Sequence, residues 1–275
     1  ASRQTHQLVT EIIGKLHFAH RKVHYSGPSS GPTESQRQLA RVLASVYRTY
    51  VKQITFVMLH EDPGDRERET KLRRQRKKEK SELGDELYRS GQQKMLEVDY
   101  SGVKHITINH RNGAVYDFST VVAKATSLET FTLHGVTPSY WSNGVPFYLA
   151  PCHVFRGVFV RCVEVDEVIS SFSTTTLTKV DLFYTKLFMD PLIKFLARHR
   201  TLSTVVLHCS TLCDYEDQWP DLLHHIQRDL TSLGSLSIRA LHIVSIEAPS
   251  YDVIKRVPDL ELEGRESIEA RCREL

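Results

Sequence analysis

Three histidines near the start of the chain have a spacing that could bind a metal. His17, His20 and His24 stand three and four residues apart, and such intervals can place imidazole rings on one face of a helix, as zinc sites use them. The residues from Val23 onward read as a strand, however, and no carboxylate or thiol partner stands beside the group. The sequence therefore predicts no metal centre here.

The cysteines give no sign of zinc binding or of a disulfide framework. Cys209 and Cys213 stand four residues apart next to His208, but zinc would need a second pair of ligands, so Cys209 is expected to be a small buried residue. The total of five is odd and the spacings are irregular in a chain of 275 residues. We therefore expect a reducing intracellular compartment, either cytoplasm or nucleus.

Motifs that activate a nucleophile or hold a phosphate are missing from the sequence. It contains no GxSxG, HExxH or GxxxxGK[ST], and PSSGP at 28–32 is typical of a turn-rich linker. No window approaches the roughly 18 apolar residues of a membrane helix. We expect neither enzymatic activity nor a cofactor.

One segment, residues 66–80, is strongly basic. It holds nine Lys or Arg and three Glu, a local net charge of +6 in a chain of net charge +3, so the remainder carries −3. Leu72 is its one apolar residue and no aromatic residue interrupts it, which favours a solvated insertion. Nuclear import and direct nucleic-acid binding are the alternatives. The residues that would make those contacts are Arg73, Arg74, Arg76, Lys77 and Lys78.

A repeated strand pattern organises the rest of the chain. VKQITF at 51–56 and VKHITI at 103–108 share apolar residues at positions 1, 4 and 6. After this first interval of 52 residues the pattern returns every 22 to 31 residues. The further matches are LETFTL at 128–133, FRGVFV at 155–160 (the weakest), LTKVDL at 177–182, LSTVVL at 202–207 and LGSLSI at 233–238. Such recurrence is the signature of a repeat protein.

Helical periodicity occupies intervals between these strands. DPLIKFLARHR starts with Asp190 as a cap and Pro191 at the first helical position. DFSTVVAKA at 117–125 and DQWPDLLHHIQRDL each carry an apolar stripe. One amphipathic helix leading into the first strand is predicted from Leu39, Val42, Leu43, Val46, Tyr47 and Tyr50.

This order of elements predicts an irregular α/β solenoid. Strand–helix units would stack so that each covers the apolar face of the next, and the strands would form a parallel sheet with right-handed crossovers. An ordinary α/β domain with similar spacing is the alternative. We expect an N-terminal helical segment at 1–50, a repeat domain at 51–256 with a basic insertion at about 61–100, and a charged tail at 257–275 that either caps the last repeat or is disordered.

LSTVVLHCSTL and LTKVDLFYTKL resemble leucine-rich repeats, whose pattern is LxxLxLxx(N/C)xL. The slot for Asn or Cys holds Ser210 and Thr185, and Arg111, Val136 and Leu241 in other units, so a ladder of buried asparagines is absent. This irregular form resembles the fungal F-box proteins with leucine-rich-like repeats. ASRQTHQLVTEIIGKLHFAHRKVHYS is similar to the end of an F-box region, and SQRQLARVLASVYRTYVKQITF to the helix and strand that follow it. LHCSTLCDYEDQWPDLLHHIQRDLTSLGSLSI resembles the late repeats of such proteins.

The resemblance implies a protein-binding repeat module that selects substrates for an SCF-type ubiquitin ligase. The leucine- and proline-rich start of an F-box, which docks the Skp-type adaptor, is not in this sequence. Contact with that adaptor and with a cullin is therefore expected only through a region outside it. A stand-alone interaction scaffold is the first alternative, and a nucleic-acid-associated protein acting through residues 66–80 is the second.

The exposed side of the strands is the expected binding surface, as in other solenoids. Positions 5 and 7 of each strand point away from the buried positions 4 and 6. A surface mixing His, Asp, Phe and Arg suits protein recognition. The predicted partner-binding residues are Thr107, Asn109, Thr132, His134, Asp181, Phe183, His208 and Arg239.

Overall fold

The computed structural model describes residues 3–25, 33–58, 98–109, 118–135, 163–208, 210–214, 219–245 and 253–274. Its strands are β1 (His20–Tyr25), β2 (Gln53–Met58), β3 (His105–Asn109), β4 (Thr130–His134), β5 (Val163–Glu164), β6 (Lys179–Phe183), β7 (Thr185–Phe188), β8 (Thr204–His208), β9 (Thr211–Asp214), β10 (Ser235–Arg239), β11 (His242–Ser245), β12 (Val253–Arg256) and β13 (Leu260–Glu263). Its helices are α1 (Arg3–Phe18), α2 (Glu34–Leu43), α3 (Ser119–Lys124), α4 (Asp166–Ser170), α5 (Met189–Arg198), α6 (Trp219–Arg228) and α7 (Arg265–Glu274).

The strands form two sheets. The main sheet has eight strands in the order β1-β2-β3-β4-β6-β8-β10-β13, all parallel except the last pair. The second sheet has the order β12-β11-β9-β7-β5 and is parallel except for β11 and β12. The protein is thus a mixed α/β solenoid with a mostly parallel main sheet.

The predicted strand template is confirmed in the six repeats that the structure describes. Positions 1, 4 and 6 are at most 2% exposed in all six, and position 1 lies two residues before the strand itself. In β3, for example, Ile106 and Ile108 are buried while Thr107 between them points to the other face. FRGVFV at 155–160 lies outside the described residues. Because β4 pairs directly with β6, the main sheet has no strand between them.

A recurring backbone contact marks each turn of the solenoid. One carbonyl just before each of six main-sheet strands, β1, β2, β3, β4, β6 and β8, accepts two N–H groups from the next turn. Glu129 O accepts from Thr178 N at 2.8 Å and from Lys179 N at 3.1 Å, and Thr178 O accepts from Ser203 N and Thr204 N at 2.7 and 3.1 Å. The carbonyls of Ala19, Lys52, Lys104 and Ser203 are used in the same way.

The second sheet is a correction to the prediction of one sheet. After β6 the chain turns sharply at Tyr184, whose φ is 55°, and β7 begins at the next residue; Ala240, with φ 48°, makes the corresponding turn after β10. A residue in the left-handed region thus makes each turn: Tyr184 alone separates β6 from β7, and Ala240 is the first of two residues between β10 and β11. In the sequence LTKVDLFYTKLF this corner is hidden, because the apolar pattern runs through it.

The helices confirm the predicted stripes, with two corrections to their ends. Leu192, Phe195 and Leu196 of α5 are buried, but α5 begins at Met189, so Asp190 lies in the first turn and is not the cap. The helix predicted up to Tyr50 is broken. It ends with α2, and a 3₁₀ helix follows at Val46–Tyr50, because the Ser45 hydroxyl accepts a hydrogen bond from Tyr47 N at 3.1 Å and starts a new element.

Strands from outside the predicted repeat domain also join the main sheet. β1 belongs to the segment predicted as 1–50, and β13 and α7 belong to the tail predicted as 257–275. In α7 only Ile268 is fully buried, which is typical of a helix that closes the end of a repeat array. None of the helices in the described part of the chain is long and apolar enough to cross a membrane.

Candidate binding surface on the main sheet

Two rows of side chains cross the face of the main sheet opposite the core. Strand register aligns Thr107, Thr132, Asp181, Val206, Ser237 and Glu261, which we call the first row. It aligns Asn109, His134, Phe183, His208 and Arg239, which we call the second row. All eight residues predicted to bind a partner lie in these two rows. Their alignment follows from the strand alternation that buries the neighbouring apolar residues.

Three rings of the second row contact one another. His134 stacks on Phe183 with centroids 4.5 Å apart and planes at 14°, and Phe183 meets His208 edge-on at 5.2 Å. Burial lowers the pKa of His134, opposed by the charge of Asp181. Burial, followed by the charge of Arg239, lowers the pKa of His208. The histidines are therefore neutral at pH 7, and the three rings form an aromatic surface.

The C-terminal end of both rows is joined by hydrogen bonds. Nε2 of His208 lies 2.6 Å from the Ser237 hydroxyl, which lies 2.7 Å from Oε1 of Glu261. A serine has one proton. Ser237 therefore donates to the Glu261 carboxylate and accepts from Nε2–H of His208. Glu261 also binds Nε of Arg239, and the Ser237 bond is the main cause that lowers the pKa of Glu261.

Asp181 is buried, although the strand pattern predicts that it is exposed. Only 7% of the residue is exposed, and Ser237 is similarly covered at 8%, although both lie on this face of the sheet. Oδ2 of Asp181 accepts a hydrogen bond from the Thr132 hydroxyl at 3.1 Å and lies 3.1 Å from Nζ of Lys179. Oδ1 is buried without a hydrogen-bond partner. The sequence could not show this, because burial here depends on flanking side chains from two other strands.

Behind the surface, buried hydroxyls occupy the asparagine slot of a leucine-rich repeat. Thr185 and Ser210 are fully buried, with their hydroxyl oxygens 3.0 Å apart. The Ser210 hydroxyl also donates to His208 O at 3.0 Å and lies 3.4 Å from Thr185 N. The asparagine ladder is absent as predicted, and these two hydroxyls satisfy part of the buried backbone instead. Leu241 fills the next slot as an apolar residue.

Glu261 and Lys179 are members of this surface that the sequence analysis missed. Glu261 lies in the predicted tail, and only the antiparallel pairing of β13 with β10 brings it beside Ser237. Lys179 stands at a strand position that was not assigned to the face, yet its long side chain reaches Asp181. The charged, alternating sequence LELE at 260–263 was the available signal for an added edge strand.

The other candidate residues do not form a site in the described part of the chain. Nε2 of His20 lies 2.9 Å from the Thr55 hydroxyl, while His17 is exposed on α1. No group of three or more His, Cys, Asp or Glu among the described residues could hold a metal ion. Cys213 is buried. Cys209, PSSGP at 28–32 and the basic residues Arg73, Arg74, Arg76, Lys77 and Lys78 lie outside the described residues, as do Arg111 and Val136.

Comparison with known proteins gave one kind of match. No protein-family model and no curated protein matches this sequence. Among solved structures, this chain is similar to the crystal structure of an internalin from Listeria monocytogenes, with 10% sequence identity and a TM-score of 0.31. The similarity covers 76% of this chain and 46% of that chain, so this chain spans less than half of the internalin's length.

Proposed function

We propose that this chain is a protein-binding repeat module whose binding surface is the pair of rows on the main sheet. The observation that carries the proposal is the contact between ring and polar side chains from Thr132 to Glu261 across five neighbouring strands. Side chains already held in one arrangement lose less conformational entropy when a partner binds. Phe183 is of a type enriched at the core of protein interfaces, and Arg239 is of a type that often dominates their binding energy.

The contact between His208 and Ser237 supports a binding role better than a catalytic one. A base 2.6 Å from a serine hydroxyl has the spacing of an activated nucleophile. The Ser237 proton, however, is donated to Glu261, and only 8% of Ser237 is exposed. Because Nε2–H of His208 donates to Ser237, the imidazole is not the base of this hydroxyl, and a covered hydroxyl oxygen does not reach a substrate. We therefore propose that the chain is not an enzyme.

Comparative co-precipitation tests the binding role. The double variant His134→Ala/Phe183→Ala removes the stacked pair from the surface. Lys194→Ala, an exposed change on α5 of the opposite layer, is the matched control. Proteins bound by the wild type and the control but lost by the double variant support the proposal. If the double variant retains the same bound proteins, the surface is not the binding site.

We further propose that the bound protein is a substrate of an SCF-type ubiquitin ligase. This finer proposal rests on the resemblance of residues 1–26 and 35–56 to the end of an F-box region and the first repeat. The test compares the full-length product of the gene with this chain. Recovery of a Skp-type adaptor and a cullin by the full-length product alone supports it. Recovery of neither leaves the interaction scaffold as the function.

A further inference from the structure

One carboxylate oxygen on the proposed binding surface has no partner. Asp181 lies on β6, with main-sheet strands on both sides, and only 7% of the residue is exposed. Thr132 and Lys179 both act on Oδ2, while Oδ1 is buried and makes no hydrogen bond. An ionised oxygen covered from water without a donor is costly. The free protein therefore keeps an unused acceptor at the middle of this surface.

The existing cation cannot satisfy both oxygens. The Lys179 ammonium is a point charge on a flexible stem, and it lies 3.1 Å from Oδ2 alone. The Asp181 side chain is only 10% exposed and needs a cation beside it, but the Lys179 side chain is 44% exposed, so Lys179 can move into water once another cation takes its place. A guanidinium group presents parallel N–H groups that match both oxygens of a carboxylate at once. Oδ1 is covered in the free protein. A partner's guanidinium that displaces the Lys179 ammonium would reach Oδ1 through the space that this side chain leaves, and would give it a donor.

The surroundings of Asp181 suit the same group. Phe183 follows on the same face of β6, about 7 Å along the strand, and its ring is stacked on that of His134. Planar guanidinium groups stack on aromatic rings, whereas ammonium groups are more strongly hydrated. The other cation of the surface, Arg239, is already paired with Glu261. Of the two acids in the rows, Glu261 is thus paired with an arginine, and Asp181 is the one whose cation reaches a single oxygen.

We propose that the partner protein places an arginine side chain on Asp181, where its guanidinium displaces Lys179, binds both carboxylate oxygens and lies beside the His134–Phe183 ring pair. This inference rests on the proposed function, since it names the chemistry that the same surface recognises. It predicts that arginine is preferred over lysine, and that Lys179 competes with the partner.

Selection from a phage-displayed library of random linear peptides on this chain tests the inference. Peptides that bind should share one arginine. Synthetic versions of a selected peptide then carry arginine, lysine or citrulline, a neutral isostere, at that position. Binding measured by fluorescence anisotropy should weaken at least about tenfold with citrulline, because a charge-assisted bidentate contact is lost. Lysine should give an intermediate affinity.

Two variants of the chain act in opposite directions. Asp181→Asn keeps an acceptor for Thr132 but removes the charge, and it should weaken binding of the arginine peptide at least about tenfold. Lys179→Met removes the competing ammonium and should strengthen that binding several-fold. A gain in affinity cannot come from a misfolded protein. Glu266→Gln, an exposed acid on α7, is the charge-matched control and should leave the affinity unchanged.

The outcomes separate this inference from the proposed function. Selected peptides that lose binding to His134→Ala/Phe183→Ala but share no arginine overturn the inference and leave the binding surface standing. Arginine peptides that bind Asp181→Asn as well as the wild type, or that bind Lys179→Met more weakly, also overturn it. A library from which no peptide is selected counts against both the inference and the surface.

Discussion

The N-terminal and C-terminal parts of the solenoid differ in the kind of side chain that they expose to water. In α1 and the 3₁₀ helix, large apolar side chains face water: Leu8, Val9, Ile12, Ile13 and Val46 are 38–75% exposed, and they are the exposed large apolar residues of the whole described chain. In the C-terminal part, apolar residues are covered and the last helix is charged. There β13 and α7 close the sheet with the sequence LELEGRESIEARCRE at 260–274.

The difference shows two ways to end a stack of repeats. At the C-terminal end, an antiparallel strand with Glu261 and Glu263 covers the last parallel strand, and charged edges of this kind discourage further pairing. At the N-terminal end, α1 contacts the 3₁₀ helix, with the Phe18 ring stacked on Tyr47 at 4.7 Å, and its other face is exposed. Charge and hydrogen bonds thus close the C-terminal end, whereas one face of the N-terminal helix stays exposed to water.

The largest effect should come from breaking the C-terminal closure at Arg265. Its guanidinium donates to two carbonyls in the last turn of α6, Ile226 O at 3.2 Å and Gln227 O, and to Leu230 O at 2.7 Å just beyond the helix. Carbonyls in the last turn of a helix lack partners within it, and a cation at this end of a helix is favourable. Arg265→Ala should lower the free energy of unfolding by about 2–4 kcal/mol, measured by urea titration. In the described structure Arg271 forms an ion pair with Glu274 alone. Arg271→Ala should therefore lower the free energy of unfolding by less than about 1 kcal/mol. Equal losses in both variants would contradict this account.

A smaller loss is expected from the buried hydroxyls. Ser210→Ala leaves the Thr185 hydroxyl and backbone N–H without the Ser210 oxygen in a fully buried place. The free energy of unfolding should fall by about 1–3 kcal/mol. Ser203→Ala removes an exposed hydroxyl that donates to Thr178 O at 3.1 Å, and it should cost less than about 1 kcal/mol. If the two variants are equally stable, the hydroxyl pair does not take the place of the asparagine ladder.

A buried histidine in the C-terminal part should make the protein less stable at acid pH, and this loss forms the acid limb of the stability profile. His199 is 3% exposed, packs against the rings of Phe172 and Phe195, and neither ring nitrogen has a hydrogen-bond partner. Burial, with a smaller effect of Arg198, lowers its pKa from 6.5 to about 4. The unfolded chain therefore binds this proton first, and stability is complete above pH 6.5 and falls between pH 6.5 and 4. The slope should be at most about 1.4 kcal/mol per pH unit, because a single proton is taken up.

Replacing the ring tests this assignment. His199→Phe keeps the aromatic packing and has nothing to protonate, so thermal unfolding measured across this pH range should lose that part of the acid limb. His17→Ala, an exposed histidine of α1, should leave the limb unchanged. An acid limb of the same slope in His199→Phe would place its origin elsewhere.

The sequence predicted the parts of the fold that depend on local pattern. Alternation at Val180 and Leu182, or at Val205 and Leu207, identified main-sheet strands because each buried position is read from its own neighbours. It also placed the eight predicted residues in two adjacent rows, because register follows when equivalent strands stack. The second sheet was missed, since the corner at Tyr184 is one residue long and has no glycine to mark it.

Features that depend on distant segments were beyond the sequence pattern. The pairing of Glu261 with Ser237 and the burial of Asp181 require strands that are 24 and 49 residues away to lie side by side. The break after α2 depends on Ser45, whose hydroxyl competes with helical bonding. Because the apolar pattern runs on past Ser45, it predicts Val46 on the buried stripe of one helix, but Val46 is 75% exposed.

The smallest effect should come from the exposed face of α1. Leu8→Gln/Ile12→Gln replaces two side chains that are 57% and 48% exposed with a polar residue of good helix propensity. The free energy of unfolding, measured by thermal unfolding, should change by less than about 0.5 kcal/mol, since surface substitutions of this kind are nearly neutral. Leu39→Gln in α2, whose side chain is fully buried, is the positive control and should unfold this part of the chain. A loss above about 1 kcal/mol in the double variant would mean that this face is packed within the protein. The contrast between the two ends would then be wrong, because apolar contacts would close the N-terminal end as charge closes the other.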